Sequence, residues 1–261
     1  MIFENHPISV EIYLLGYGIS LALSLILTLI LVKAISKANW LTHLLNKLSV
    51  SSSKVVSPFG GIPVVLSFFT VLWFFYLIGW IQHENLRLLQ VITLGVGLMT
   101  ILGIYDDTHN CSPKTKLLFQ ISIATILYFA GFQIERIGNI IELGPLSILL
   151  TIFWIVGITN SINLIDGVDG LASGLIFLSC MTLTFVYLER DITEAAFLAV
   201  ILSGSVLGFF IFNFPPAKII LGDTGSLPLG LLISLITLLP LNQQFSDEIY
   251  YLIPIITLLL P

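Results

Sequence analysis

The sequence predicts an all-α fold, a polytopic transmembrane helical bundle of about nine spans, on three observations. Apolar runs near 20 residues in length recur along the 261-residue chain, and a run of that length can cross a hydrocarbon core of ~30 Å. Hydrophobic residues make up 57% and charged residues only 10%, with a mean hydropathy of +1.05; a soluble domain carries about 25% charged residues. The few charges are sorted by loop rather than scattered.

The spans are expected near 12–32, 60–80, 88–105, 117–132, 146–164, 171–188, 194–213, 226–240 and 249–261. The first run follows Glu4 and Glu11 with no Lys or Arg before it, and it exceeds a signal-peptide core. It therefore reads as a span and not as a cleaved leader. The second begins within "SPFGGI". The third ends at Asp106-Asp107, and Lys114 and Lys116 open the fourth. After it, "QIERIGNIIELGP" alternates loosely around Gly138-Asn139 and reads as a small periplasmic β-hairpin near 133–145. The fifth ends or bends near Asp166, where Gly167 and Gly170 break the helix. The sixth follows directly, and Pro215-Pro216 stop the seventh. The eighth is led in by "GDTGS". The ninth, about 13 residues from Ile249, is short for a ~30 Å core. Cys111 and Cys180 make no motif, so no disulfide is expected.

With loops alternating sides, one side receives Lys33, Lys37, Lys47, Lys54, Lys114, Lys116 and Lys218, and the other only Arg87, Arg136 and Arg190. The lysine-rich side is then cytoplasmic and the N-terminus outside. The acids sort independently. Asp106, Asp107, Asp166, Asp169 and Asp223 fall in cytoplasmic loops, while every Glu, with Asp191 and Asp247, falls outside. Five Asp from three loops could converge on one surface.

In "NSINLIDGVDGLASG", Asn160, Asn163, Asp166 and Asp169 recur every third residue. On a helix each such step drifts by about 60°. The two Asn therefore line the last turn of a span and the two Asp hang on a Gly-rich turn. Polar groups at membrane depth are expensive unless they face a cavity or a partner. In "GIYDDTHNCSPKTKLLFQ", neighbouring Asp106 and Asp107 point about 100° apart, so they need not share a task. The turn "GDTGS", with Asp223, Thr224 and Ser226, opens a helix whose N-terminus favours an anion. Phosphate binding is one use of it, and capping by Thr224 or Ser226 is the other. Carboxylates without Cys or His neighbours suit a hard cation such as Mg²⁺, which completes its shell with water and phosphate, and nearby lysines offset phosphate charge. The residues alone thus point to a Mg²⁺–diphosphate site at a membrane face.

Together these stretches resemble the polyprenyl-phosphate N-acetylhexosamine-1-phosphate transferases, glycosyltransferase family 4, and among them the undecaprenyl-phosphate N-acetylglucosaminyl 1-phosphate transferases. "SPFGGI", "DDTHNCSPKTK", "NSINLIDGVDGLASG" and "NFPPAKIILGDTGSLPLG" look like the family's four successive cytoplasmic loops. The resemblance implies transfer of a sugar-1-phosphate, most commonly N-acetylglucosamine-1-phosphate, from a UDP-sugar to undecaprenyl phosphate with release of UMP. That is the first membrane step of envelope polysaccharides such as wall teichoic acid or lipopolysaccharide O-antigen. It further implies Mg²⁺, with Mn²⁺ as substitute, and a bacterial inner-membrane location with the site on the cytoplasmic face. It admits a homodimer, and no nucleic-acid partner is expected.

By the same likeness, Asp223 matches the carboxylate that holds the metal, with Asp106 beside it. Asp106 and Asp107 match an acidic pair near the lipid phosphate, Asp106 being the base or nucleophile. Asn163 and Asp166 match residues of the catalytic centre, and Asp169 a residue that reads uracil. Asn160 and Gly170 are assigned to the substrate side. Lys116 matches a phosphate-side lysine, and Lys54 and Lys114 are expected beside it.

Three departures stand out. The first loop reads "NKLSVSSSKVVSPFGG" without the family's acidic and basic pattern, leaving Lys54 as its phosphate candidate. Ile220 stands where many relatives have Phe. The chain stops at Pro261, whereas relatives continue into further helices and a loop with a His cluster that none of His6, His43, His83 and His109 resembles. C-terminal truncation of a single transferase domain is the expectation. An inactive or fragmentary paralogue stays open as an alternative. So does an ion-coupled transporter, although a transporter would place its acids near mid-membrane rather than at helix ends.

Overall fold

The computed structural model describes residues 10–37, 57–81, 86–137 and 141–239. Lys54 and the expected span at 249–261 lie outside the described residues. Eight helices are described: α1 Val10–Lys37, α2 Gly61–Leu77, α3 Leu86–His109, α4 Pro113–Phe129, α5 Leu146–Ile165, α6 Leu171–Glu189, α7 Thr193–Asn213 and α8 Asp223–Leu238. Between α4 and α5, two-residue strands β1 Arg136–Ile137 and β2 Ile141–Glu142 pair antiparallel, Arg136 opposite Glu142.

Five helices, α1, α3, α5, α6 and α7, are long and apolar enough to cross a membrane. Nine full spans are not established. Helices α2 and α8 are apolar but hold 17 and 16 residues, about 25 Å of helix at ~1.5 Å per residue. The outer helices carry the apolar surface of a membrane protein. Leu14, Ile30, Leu118, Phe129, Leu149, Phe153 and Phe185 are all exposed.

The centre belongs to α7 and α8. Every residue of α8 from Thr224 to Leu238 is buried, walled in by α2, α3, α5 and α7. Helix α7 packs on α1 and α6. Its contact with α1 is closest at small residues: Ser20 and Ser24 of α1 face Gly204 and Gly208 of α7. A Cβ on Gly208 would lie 2.6 Å from the Leu21 carbonyl oxygen. Small faces of this kind let helix backbones approach where no hydrophobic force separates protein from lipid.

The same device brings α2 and α3 against the start of α8. A Cβ on Gly61 would fall 2.1 Å from the Gly225 Cα, and one on Gly103 would fall 2.3 Å from the Asp223 carbonyl oxygen. Residues 57–61 also run beside 220–221. The Gly60 and Gly61 N–H groups donate to the Ile220 and Leu221 carbonyls at 3.1 and 3.2 Å, and Ile220 N–H donates to Ser57 O at 3.1 Å. Helix α4 starts at an N-cap, Ser112 accepting from Thr115 N–H at 3.2 Å with Pro113 following, which fixes where Lys116 emerges.

Candidate active site at the helix ends

The last turns of α3 and α5 and the first turns of α4 and α8 meet at one end of the bundle, and the predicted Asp residues meet with them. Asp106, near the end of α3, is buried. Its Oδ1 accepts the Cys111 N–H at 2.6 Å, and its Oδ2 pairs with the Lys116 ammonium. Lys116 also donates to Asp223 Oδ2. The other Asp223 oxygen, Oδ1, accepts from Asn163 Nδ2 at 2.6 Å, and that amide donates to Ser226 Oγ at 2.8 Å as well. Four helices thus contribute one compact group: Asp106, Lys116, Asn163 and Asp223.

Asp107 is oriented differently, as its ~100° offset on the helix requires. Its Oδ1 accepts Asp223 N–H at 3.1 Å, and its Oδ2 accepts Thr224 N–H at 2.8 Å and the Thr224 hydroxyl at 2.6 Å. Both oxygens are committed to the first turn of α8. This corrects two expectations. Neither Thr224 nor Ser226 caps α8, whose N-cap Gly222 (φ +67°) has no side chain to accept a bond. The anion that the helix N-terminus favours is the Asp107 carboxylate, so these N–H groups are not open to a phosphate. Asp107 braces the turn that carries Asp223.

Asp166 ends α5 as its C-cap. Burial pushes its carboxyl up to about 7; the Gly222 N–H beside it opposes this, and the nearby Asp223 and Asp107 carboxylates add to it. Negative charge is therefore crowded here, with Lys116 as its paired cation.

Asn160 turns away from this group. Its Nδ2 donates to Gln120 Oε1 at 2.7 Å, and Gln120 Nε2 returns a bond to Asn160 Oδ1 at 3.3 Å. Gln120 is fully buried, so the pair ties α5 to α4 one turn from Asn163. The Asn160 amide is thus engaged by Gln120 and by the Val156 carbonyl, to which its Nδ2 also donates at 2.8 Å. Asp169 is exposed on the turn, and its Oδ2 accepts Ala217 N–H at 3.0 Å. Gly170 adopts φ +74° as N-cap of α6; its N–H donates to Asn213 Oδ1 at 3.1 Å, so it shapes the turn. Lys114 is exposed at the start of α4.

The sequence reading missed Asn213. This buried residue accepts from Gly170 N–H and from Ser173 Oγ, and donates to Ile219 O at 3.0 Å. It binds the turn after α5 to the loop before α8. An Asn just before Phe214-Pro215-Pro216, at a helix end, was the available signal.

Among the described residues, no group of three or more His, Cys, Asp or Glu side chains is arranged to hold a metal. The donor set still suits a hard cation. Asp106 and Asp223 present two carboxylate oxygens to one point, and Mg²⁺ commonly takes one or two carboxylates with water and phosphate filling its shell.

Residues 89–240 match the sequence pattern of glycosyl transferase family 4. The chain is 40% identical over 178 residues to a probable undecaprenyl-phosphate N-acetylglucosaminyl 1-phosphate transferase of Bacillus subtilis, covering 66% of this chain and 49% of that protein. It is 31% identical over 185 residues to a phospho-N-acetylmuramoyl-pentapeptide-transferase of Streptococcus sanguinis, covering 66% and 56%. It is 33% identical over 209 residues to the Streptococcus uberis protein of that name, covering 74% and 62%. The chain spans about half the length of the curated relatives it matches.

Proposed function

The chain belongs to glycosyl transferase family 4, and from that premise we propose that it transfers N-acetylglucosamine-1-phosphate from UDP-N-acetylglucosamine to undecaprenyl phosphate. The observation that carries the reading is the meeting of Asp106, Lys116, Asn163 and Asp223 at one end of an apolar bundle. A water-soluble nucleotide and a lipid head group can meet only at such a boundary. The choice of N-acetylglucosamine rests on the 40% identical relative; the N-acetylmuramoyl-pentapeptide donor named for the streptococcal relatives is the second reading.

The chemistry asks little covalent help from the protein. An oxygen of the lipid phosphate attacks the sugar-bearing phosphorus, the bond between that phosphorus and the bridging oxygen breaks, and UMP leaves with the electron pair. Such transfers depend on positioning and charge neutralisation. Asp106 serves on the acceptor side as the base that keeps the lipid phosphate deprotonated for attack. Lys116 offsets phosphate charge, Asn163 fixes the Asp223 carboxylate, and Asp166 completes the acidic wall. Asp223 and Asp106 would hold Mg²⁺, which would neutralise the diphosphate when bound. Asp107 positions Asp223, and Asp169 reads the uracil.

The lysine bias supports a cytoplasmic site in the inner membrane, an outside N-terminus and a β1–β2 pair on the periplasmic side. Carboxylates at helix ends, rather than at mid-membrane, weigh against an ion-coupled transporter.

The test is UMP release from UDP-N-acetylglucosamine and undecaprenyl phosphate, with and without a chelator, by wild type and Asp223→Asn. Release should need the cation and vanish in the variant while the protein stays folded in detergent. Near-normal release by Asp223→Asn overturns the assignment. Preference for the UDP-N-acetylmuramoyl-pentapeptide donor selects the second reading.

A further inference from the structure

We infer that Lys116 is a built-in counter-ion that occupies the divalent-cation position of the resting site and leaves it when the cation binds. The inference rests on the transferase reading above and adds a competition between a side chain and the metal.

Most carboxylate oxygens at the site already have a partner. Asp106 Oδ1 is taken by Cys111 N–H and Asp223 Oδ1 by Asn163 Nδ2, both at 2.6 Å. Both oxygens of Asp107 are taken by the first turn of α8. Asp166 lies beside the Gly222 N–H. Asp106 Oδ2 and Asp223 Oδ2 share a single partner: the Lys116 ammonium contacts both. They come from different helices, α3 and α8, and one nitrogen from α4 draws them together.

A divalent cation using these two oxygens would sit against that ammonium. Like charges at such range repel strongly where solvent is scarce, and these side chains are only 10%, 17% and 22% exposed for Asp106, Lys116 and Asp223. Lys116 must therefore swing out. Its stem is long and flexible, and the more exposed Asp223 side of the group marks the way out. There the freed ammonium meets the phosphates that arrive with the cation. The lysine thus keeps two carboxylates together without metal, and changes partners from carboxylate to phosphate on loading.

The test is Mn²⁺ binding to the purified full chain in detergent, followed by electron paramagnetic resonance with no nucleotide present. Lys116→Met and Lys116→Gln should each bind Mn²⁺ roughly tenfold tighter than wild type or better. Lys116→Arg, which keeps the charge, should stay near wild type. Adding Asp223→Asn to Lys116→Met should remove the gain. Two neutral variants guard against one of them misfolding. Equal Mn²⁺ affinity in wild type and both neutral variants overturns the competition and leaves the cation site standing. Absence of Mn²⁺ binding in every form, even with UDP-N-acetylglucosamine added, overturns both the competition and the cation site.

Discussion

Asp107 accepts both the backbone N–H and the hydroxyl of Thr224, at 2.8 and 2.6 Å, across the gap between α3 and α8. The bond spans 117 residues of sequence and fixes the turn that carries Asp223. Asp107→Ala should therefore lower stability by about 1–3 kcal/mol, the range for orphaning a buried polar partner, and lower UMP release with it. Asp107→Asn, which keeps an acceptor oxygen, should fall between. Thermal unfolding in detergent beside the activity assay separates this from Asp223→Asn, where release vanishes without loss of stability. An Asp107→Ala protein with full stability and no activity would return Asp107 to the catalytic group.

The Asn160–Gln120 clasp makes a different prediction. Asn160→Leu leaves the buried Gln120 amide unpaired and should cost about 1–3 kcal/mol. The double change to Leu at both positions should recover much of that loss, since both polar partners are then gone. The Michaelis constant for the UDP-sugar should barely move. A large rise in it, with stability intact, would restore Asn160 to the substrate side.

Asp166 makes stability depend on pH. Its carboxyl is raised from 3.8 to about 7 in the fold, so the folded state holds the proton more tightly than the unfolded chain does. That contribution is whole below the unfolded value and is lost as pH rises toward the folded one. In the presence of chelator, the melting temperature of wild type should fall between about pH 4 and about pH 7 relative to that of Asp166→Asn. Parallel curves for the two proteins would show that Asp166 does not titrate in this window.

Asp169 lies on the exposed side of its turn, with Oδ2 on Ala217 N–H. On the proposed function, its other oxygen is left to meet the uracil. Asp169→Ala should raise the Michaelis constant for the UDP-sugar roughly tenfold or more, because a site built to bond a polar edge discriminates strongly. The constant for undecaprenyl phosphate should stay put. Equal rises for both substrates would leave Asp169 as a loop residue only.

The convergence of Asp106, Asp107, Asp166 and Asp223 was legible because each acid sits beside the end of an apolar run. What each acid does was not. Whether Asp107 faces a substrate or a helix N-terminus depends on α8 lying against the end of α3, which Gly103 permits and no local pattern states. The row Asn160, Asn163 looked uniform, yet the partners differ: Gln120 for one, Asp223 and Ser226 for the other. Those partners lie 40 to 63 residues away. The centrality of α8 was hidden for a related reason. A helix walled by protein and a helix facing lipid are equally apolar, so hydropathy cannot rank them.

Helix α8, with no lipid-facing side between Thr224 and Leu238, has a consequence for biosynthesis. The ribosome delivers it after the seven other described helices, and it must slot between helices already in the bilayer. Until then Asp107 lacks the N–H donors of residues 223 and 224. Arrival of α8 supplies those donors to Asp107 and brings Asp223 to the site in the same event. Nascent chains halted before Asp223 should thus be recognisable to membrane quality control as unfinished.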